Sequence, residues 1–158
     1  MSRAQGSCAG LSPETDSNFG DAQPLEQISK KNVAHYFKEN NDTVNIITGF
    51  IGSNNNGDTT TLGRNGSNYT ASLIANYVDA EELQNYTHVD GIYTANPELV
   101  PDAKKIDRLS FNEANEIANF GATILHAKTI IPLLEKNIPL RILNTFNHEN
   151  QGTLITSK

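Results

Sequence analysis

Within ten positions, Thr59-Thr-Thr-Leu-Gly-Arg-Asn-Gly-Ser-Asn68 gathers small residues, one arginine and the expected start of a helix. Backbone N–H groups at a helix N-terminus, with the positive end of its dipole, favour an anion. Arg64 can add a bidentate grip on a carboxylate. Ser67 or Asn68 is expected to cap the helix. The chemistry these residues point to is capture of a small anionic ligand. Gly63 and Gly66 permit backbone geometry that a side chain would block. A second block, Val89-Asp-Gly-Ile-Tyr-Thr94, reads by itself as a strand-turn-strand with no charged clamp for phosphate.

The elements that must position these residues follow from periodicity. Residues 1–22 are rich in Gly, Ser, Asp and Asn and are expected to be mobile, with residues 1–10 resembling a leader. Leu25, Ile28, Val33 and Phe37 give a helical stripe over residues 23–39, with Pro24 tolerated in the first turn. Val44-Asn-Ile-Ile47 predicts a short buried strand. Ser53 to Gly57 predicts a hairpin tip, with Thr59 to Leu62 returning as the second arm. Tyr69, Leu73, Ile74, Tyr77 and Val78 define an amphipathic helix over residues 67–79. Leu83 to Val89 reads as a strand. Ser110 and Glu113 have capping-box spacing, and Gly121 is placed to end that helix. A further helix is expected from His126 to Lys136, with Pro132 kinking it or opening it late. Strands at 140–143 and 153–155 close an α/β arrangement.

Composition narrows the classes. A chain of 158 residues supports a core. A net charge of −6 argues against nucleic-acid or anionic-membrane partners. One cysteine, Cys8, allows no internal disulfide and fits a reducing compartment. No apolar run approaches the ~18–20 residues of a membrane span, and residues 1–10 lack the apolar segment of a signal peptide. The cytoplasm is the expected location. His35, His88 and His148 stand singly, without metal-ligand spacing, so no metal site is expected. His126 is expected to be structural or to cap a helix.

Thr48-Gly-Phe-Ile-Gly-Ser53, residues 59–68, residues 89–94, Phe120-Gly-Ala122 and Leu125-His126 together resemble the aspartate kinases, in family order and spacing. The resemblance runs from about residue 11 to 158 and corresponds to the C-terminal, nucleotide-binding part of the catalytic domain, set here at residues 23–158. It implies a three-layer αβα sandwich of the amino-acid-kinase (carbamate-kinase-like) fold. It also implies phosphorylation of the side-chain carboxylate of L-aspartate to 4-phospho-L-aspartate, with ATP as co-substrate and Mg²⁺. That step opens lysine, threonine, methionine and homoserine biosynthesis. By resemblance, Phe50, Gly63, Arg64 and Ser67 hold aspartate. Thr87, His88 and Tyr93 lie at the nucleotide, and Asn68 occupies the position of the family's catalytic aspartate. The implied partners are the rest of the kinase domain and its regulatory domains in a homo-oligomeric parent, which in some relatives carries a homoserine dehydrogenase.

The sequence departs from the family at four places. Asn68 replaces an aspartate and His88 another. Asn96-Pro-Glu98 stands for Asp-Pro-Arg, and Phe120-Gly-Ala-Thr123 for Phe-Gly-Ala-Lys. Glu98 and Thr123 both move the charge balance away from holding phosphate. Lys104, Lys105 and Arg108 are the nearby cations able to compensate. The family's opening Lys-Phe-Gly-Gly-Thr/Ser loop does not occur in this sequence. The isolated chain is therefore expected to be inactive and marginally stable, with the alternative that it is a catalytically faded module with a structural or ligand-sensing role.

Overall fold

The computed structural model describes residues 11–40, 42–119 and 126–157. They form two compact units that divide between Val78 and Asp79.

In the first unit, helix α1 (Glu26–Glu39) precedes an antiparallel hairpin of β1 (Ile51–Ser53) and β2 (Thr59–Thr61), and then helix α2 (Gly66–Tyr77). The hairpin forms where the turn chemistry places it. Asn54 Oδ1 accepts from the N–H groups of Asn56 and Asp58 at 3.0 and 2.9 Å, and Gly57 takes φ +81°. The helical stripes meet as their spacing requires: Val33 of α1 packs with Leu73 and Tyr77 of α2, flanked by Phe37, Tyr69, Ile74 and Val78. Burial of such side chains contributes about 1.5–3 kcal/mol each.

Three expectations fail in this unit. Residues 11–22, expected to be mobile, are tied to the hairpin. Thr15 N–H donates to Ser53 O at 2.8 Å, Ser53 N–H to Pro13 O at 3.1 Å and Ala22 N–H to Thr61 O at 2.9 Å. The Thr15 and Thr60 hydroxyls meet at 2.6 Å, both buried. Polar composition signalled a loop but not its backbone pairing. Helix α1 opens at Glu26 rather than at residue 23, because Pro24 is drawn into an extended bridge with Thr15. Val44-Asn-Ile-Ile47 is not a buried strand: Val44 and Ile46 are 94% and 92% exposed. A β-branched run needs a hydrogen-bonding neighbour to become a strand, and among the described residues it pairs with none.

The second unit is built on a four-stranded sheet in the order β3 (Leu83–Thr87), β7 (Leu140–Asn144), β8 (Thr153–Thr156) and β6 (Arg108–Ser110). The β3–β7 and β6–β8 pairs are parallel, and β7–β8 is antiparallel. A small antiparallel pair joins β4 (Ile92–Tyr93) to β5 (Lys105–Ile106). Leu140, Ile142, Ile155 and Leu133 are fully buried, and Phe111, Ala114 and Ile130 are buried as well.

Helix α3 (Phe111–Asn119) opens with the expected capping box. Ser110 N–H and Oγ donate to Glu113 Oε2 at 2.8 and 2.7 Å, and Glu113 N–H donates to Ser110 Oγ at 3.2 Å. The Ser110 hydroxyl and N–H hold the Glu113 carboxyl below its ordinary pKa. Helix α4 (Ala127–Lys136) runs through Pro132. It is capped by His126, whose Nδ1 accepts from Lys128 N–H at 3.2 Å, and it ends at Asn137 with φ +54°. Gly121, expected to end α3, and the Phe120–Thr123 motif lie outside the described residues.

Candidate functional site

In the first unit, the segment entering β1 rests against the first turn of α2. Phe50 has φ +77°, a region that a phenylalanine avoids. Its N–H donates to Thr70 Oγ1 at 3.1 Å, and its carbonyl accepts from Leu62 N–H at 2.9 Å. Both glycines at this crossing are required by contact. A Cβ on Gly66 would lie 2.7 Å from Phe50 Cδ2, and a Cβ on Gly49 would lie 2.9 Å from Ser67 Cα. The Phe50 ring therefore sits over Gly66 and remains 41% exposed.

Gly63, at φ +73°, begins the turn into α2, closed by Gly66 N–H donating to Gly63 O at 3.1 Å. Asn65, in the left-handed conformation, occupies the N-cap position and makes no side-chain cap. This corrects the expected capping by Ser67 or Asn68. The turn starts the helix at Gly66, so both residues lie inside the first turn, with Ser67 exposed and Asn68 half-buried. The first turn has no acidic residue to satisfy its N–H groups. Arg64 is exposed beside it. The structure thus brings Phe50, Gly63, Arg64, Ser67 and Asn68 around one helix opening.

The second unit gathers polar groups where the parallel strands β3 and β7 end, the location that open α/β sheets use for ligands. Thr87 closes β3. Its carbonyl accepts from Thr145 N–H at 2.8 Å, and its hydroxyl accepts from Val89 N–H at 3.1 Å. The Thr87 carbonyl is thus already used by the chain. His88 is exposed. The Asp90 carboxylate takes hydrogen bonds from the amides of Asn144 and Asn147, and Asn144 Oδ1 accepts from Phe146 N–H at 2.9 Å. Phe146 is 84% exposed at this edge.

From Asp90 the chain passes Gly91, at φ +138°, into β4, where Tyr93 is half-buried and pairs with Lys105. Ile92 N–H donates to the buried Thr153 Oγ1 at 2.8 Å, and that hydroxyl donates to Ile106 O at 2.6 Å. Lys105 is committed to structure: Nζ donates to Asn150 Oδ1 and Gly152 O at 3.0 and 3.1 Å and pairs with Asp107. Lys104 and Arg108 are exposed, as is Glu98. Asn96 keeps the turn-capping role open to an aspartate, its Oδ1 accepting from Glu98 N–H at 3.0 Å.

Thr70, Asp90, Asn144 and Asn147 were not singled out from the sequence. Thr70 stands four residues after Gly66 and makes the helical hydroxyl-to-carbonyl bond at 2.9 Å, a spacing that can be read in advance. The Asn-x-x-Asn at the end of β7 carries no comparable signal. Among the described residues, no group of three His, Cys, Asp or Glu side chains could hold a metal ion, and no helix is long and apolar enough to cross a membrane.

The pattern of the amino acid kinase family matches residues 1–144. An aspartokinase of Rickettsia felis is 43% identical over 144 residues, covering 91% of this chain and 35% of that protein. A bifunctional aspartokinase/homoserine dehydrogenase of Haemophilus influenzae is 45% identical over 114 residues, covering 72% of this chain and 14% of that protein. The crystal structure of Escherichia coli aspartokinase III in complex with aspartate and ADP superposes with a TM-score of 0.87 at 40% identity, covering 92% of this chain and 33% of that one. The chain spans about a third of the length of the aspartokinases it matches. By its sequence pattern and its α/β fold, the chain belongs to the amino acid kinase family.

Proposed function

We propose that these residues form the aspartate-binding and nucleotide-binding part of an aspartate kinase. The observation that carries this reading is the placement of Phe50, Arg64 and Ser67 around the opening of α2. The likeness to an aspartokinase that was crystallised with aspartate and ADP supports it. Aspartate's side chain is already ionised at neutral pH, with a pKa of ~4, so the reaction needs no general base. It needs alignment of carboxylate with γ-phosphate and neutralisation of their repulsion. In this reading Arg64 and the first-turn N–H groups of α2 hold the α-carboxylate, Ser67 adds a hydroxyl, Gly63 shapes the turn, and the Phe50 ring forms a wall. Asn68, in place of an aspartate, hydrogen-bonds without adding charge.

Thr87, His88 and Tyr93 would line the nucleotide. Asp90 holds the segment between them, while Lys104 and Arg108 are the exposed cations able to offset Glu98. Mg²⁺ would arrive on the ATP phosphates and keep several waters; the described residues offer it no carboxylate cage. The wider reading places residues 23–158 within a cytoplasmic, homo-oligomeric biosynthetic enzyme with the rest of a kinase domain, serving lysine, threonine, methionine and homoserine formation.

A second reading, a ligand-sensing module without phosphoryl transfer, is favoured by one observation: Glu98 is an exposed anion where the family places an arginine. Calorimetric titration of the full-length natural polypeptide with L-aspartate and with Mg-ATP separates the two. Aspartate binding lost in Arg64→Ala, with ATP binding and ADP formation, supports the kinase. Aspartate binding without ATP binding supports the sensor, and binding of neither ligand overturns both.

A further inference from the structure

The wall of the proposed aspartate subsite is held by a residue that does not line it. Thr70 is 2% exposed, one turn into α2. Its hydroxyl has both roles assigned by its neighbours. Gly66 O can only accept, at 2.9 Å, and Phe50 N–H can only donate, at 3.1 Å. One oxygen therefore ties the helix opening to the residue whose ring lies over it. On its other side Phe50 is held by Leu62 N–H at 2.9 Å. A phenylalanine does not keep φ +77° without such restraint, and a ring 41% exposed has only partial packing to hold it.

We infer that Thr70 is a positioning residue of the amino-acid subsite, its hydroxyl holding Phe50 in the left-handed conformation that sets the ring over Gly66. The inference rests on the aspartate reading of that subsite and adds a residue to it. Released from Thr70, Phe50 can relax towards negative φ and swing its ring away from the helix opening. The ligand then loses one wall while Arg64 and the first-turn N–H groups remain.

The test is calorimetry of L-aspartate and of ADP on the full-length natural polypeptide and its variants. Thr70→Val keeps the side-chain volume and removes the hydroxyl; aspartate affinity should fall roughly three- to tenfold, with ADP affinity unchanged. Thr70→Ser keeps the hydroxyl and should bind aspartate within about twofold of the parent, since both hydrogen bonds survive. A nuclear Overhauser contact between the Phe50 ring and Gly66 Hα should be present in the parent and in Thr70→Ser and lost in Thr70→Val. Parent-like aspartate affinity in Thr70→Val overturns the inference, as does an equal loss for aspartate and ADP that serine does not restore. If Thr70→Val does not fold, Thr70→Cys, a weak hydrogen-bonding group of similar size, takes its place: weakened aspartate affinity supports the inference and affinity equal to Thr70→Ser overturns it. Loss of aspartate binding in Arg64→Ala but not in Thr70→Val overturns the role of Thr70 alone. A parent that binds no aspartate overturns the subsite and this inference with it.

Discussion

Asn144 Nδ2 donates to the Asp90 carboxylate at 2.7 Å, tying the loop that leaves β3 to the end of β7. Asn147 reaches both oxygens of the same carboxylate at 3.1 Å. Three amide contacts on one carboxylate fix the start of the 89–94 segment that leads to Tyr93. Asp90→Asn puts an amide where a charged double acceptor stood, at a cost of about 1 kcal/mol. Nucleotide affinity should fall by about fivefold, while aspartate affinity stays unchanged. Isothermal titration with ADP reads the first quantity, and a parent-like affinity would mean that this clamp does not govern the nucleotide.

Glu82 and Arg141 form the best-oriented ion pair among the described residues. Arg141 Nε lies 3.1 and 3.2 Å from the two carboxylate oxygens and Nη2 lies 2.9 Å from Oε2, with both side chains about a quarter exposed. The hydrogen bond from Arg141 holds the Glu82 carboxyl below its ordinary pKa, and the same bond pushes the Arg141 pKa up. For a carboxyl with a depressed folded pKa, the stabilisation is present above the unfolded value of about 4.3 and is lost as pH falls through the folded value. Glu82→Gln should therefore lower stability near neutral pH by about 1 kcal/mol or less, and the gap to the parent should close in strong acid. Urea melts at several pH values check this; a gap that persists below the carboxyl's titration would refute the pair as its source.

Thr153 Oγ1 bridges two backbone groups, accepting from Ile92 N–H and donating to Ile106 O. Thr153→Val would remove both of these hydrogen bonds, costing about 1–3 kcal/mol and loosening β4 against β8. Gly152→Ala should be worse, because the added methyl would fall on Ile142 O. Thermal melts should rank parent above Thr153→Val above Gly152→Ala, and an unchanged midpoint in the alanine variant would contradict the packing described.

Gly66→Ala, at the first residue of α2, places a methyl 2.7 Å from Phe50 Cδ2. Aspartate affinity should drop about tenfold as the ring is displaced, as titration calorimetry with L-aspartate would read. Retained affinity would show that the ring does not line the ligand.

The sequence made the helices and the strands β3, β7 and β8 of the second unit legible, whereas the three-residue β6 was not singled out. Ser110 with Glu113, and Leu140, Ile142 and Leu143 in the 140–144 segment, say what they do locally. The Gly-Arg-Asn-Gly run likewise announced a helix opening. It did not announce that Gly66 would start the helix and leave Ser67 free of capping, since that depends on the left-handed turn at Asn65. The pairing of residues 11–22 with the hairpin was hidden because backbone hydrogen bonds leave no mark on side-chain pattern. Val44 and Ile46 misled for the opposite reason: a sequence shows that a strand is chemically suited, not that a neighbour is adjacent. Phe50 combined both problems, its ring readable and its φ set by Thr70 across the fold.

The order of strands in the second unit has a consequence for synthesis. Among the described residues β3 finds its ladder partner in β7, and the ion pair that flanks this ladder closes across 59 positions. At about 5–20 residues per second, a ribosome needs roughly 3–12 s to deliver Arg141 after Glu82. For that interval the edge of β3 is an open template in the nascent polypeptide, available to chaperones or to a neighbouring polysome's β3, and slow codons between the two strands would lengthen the exposure.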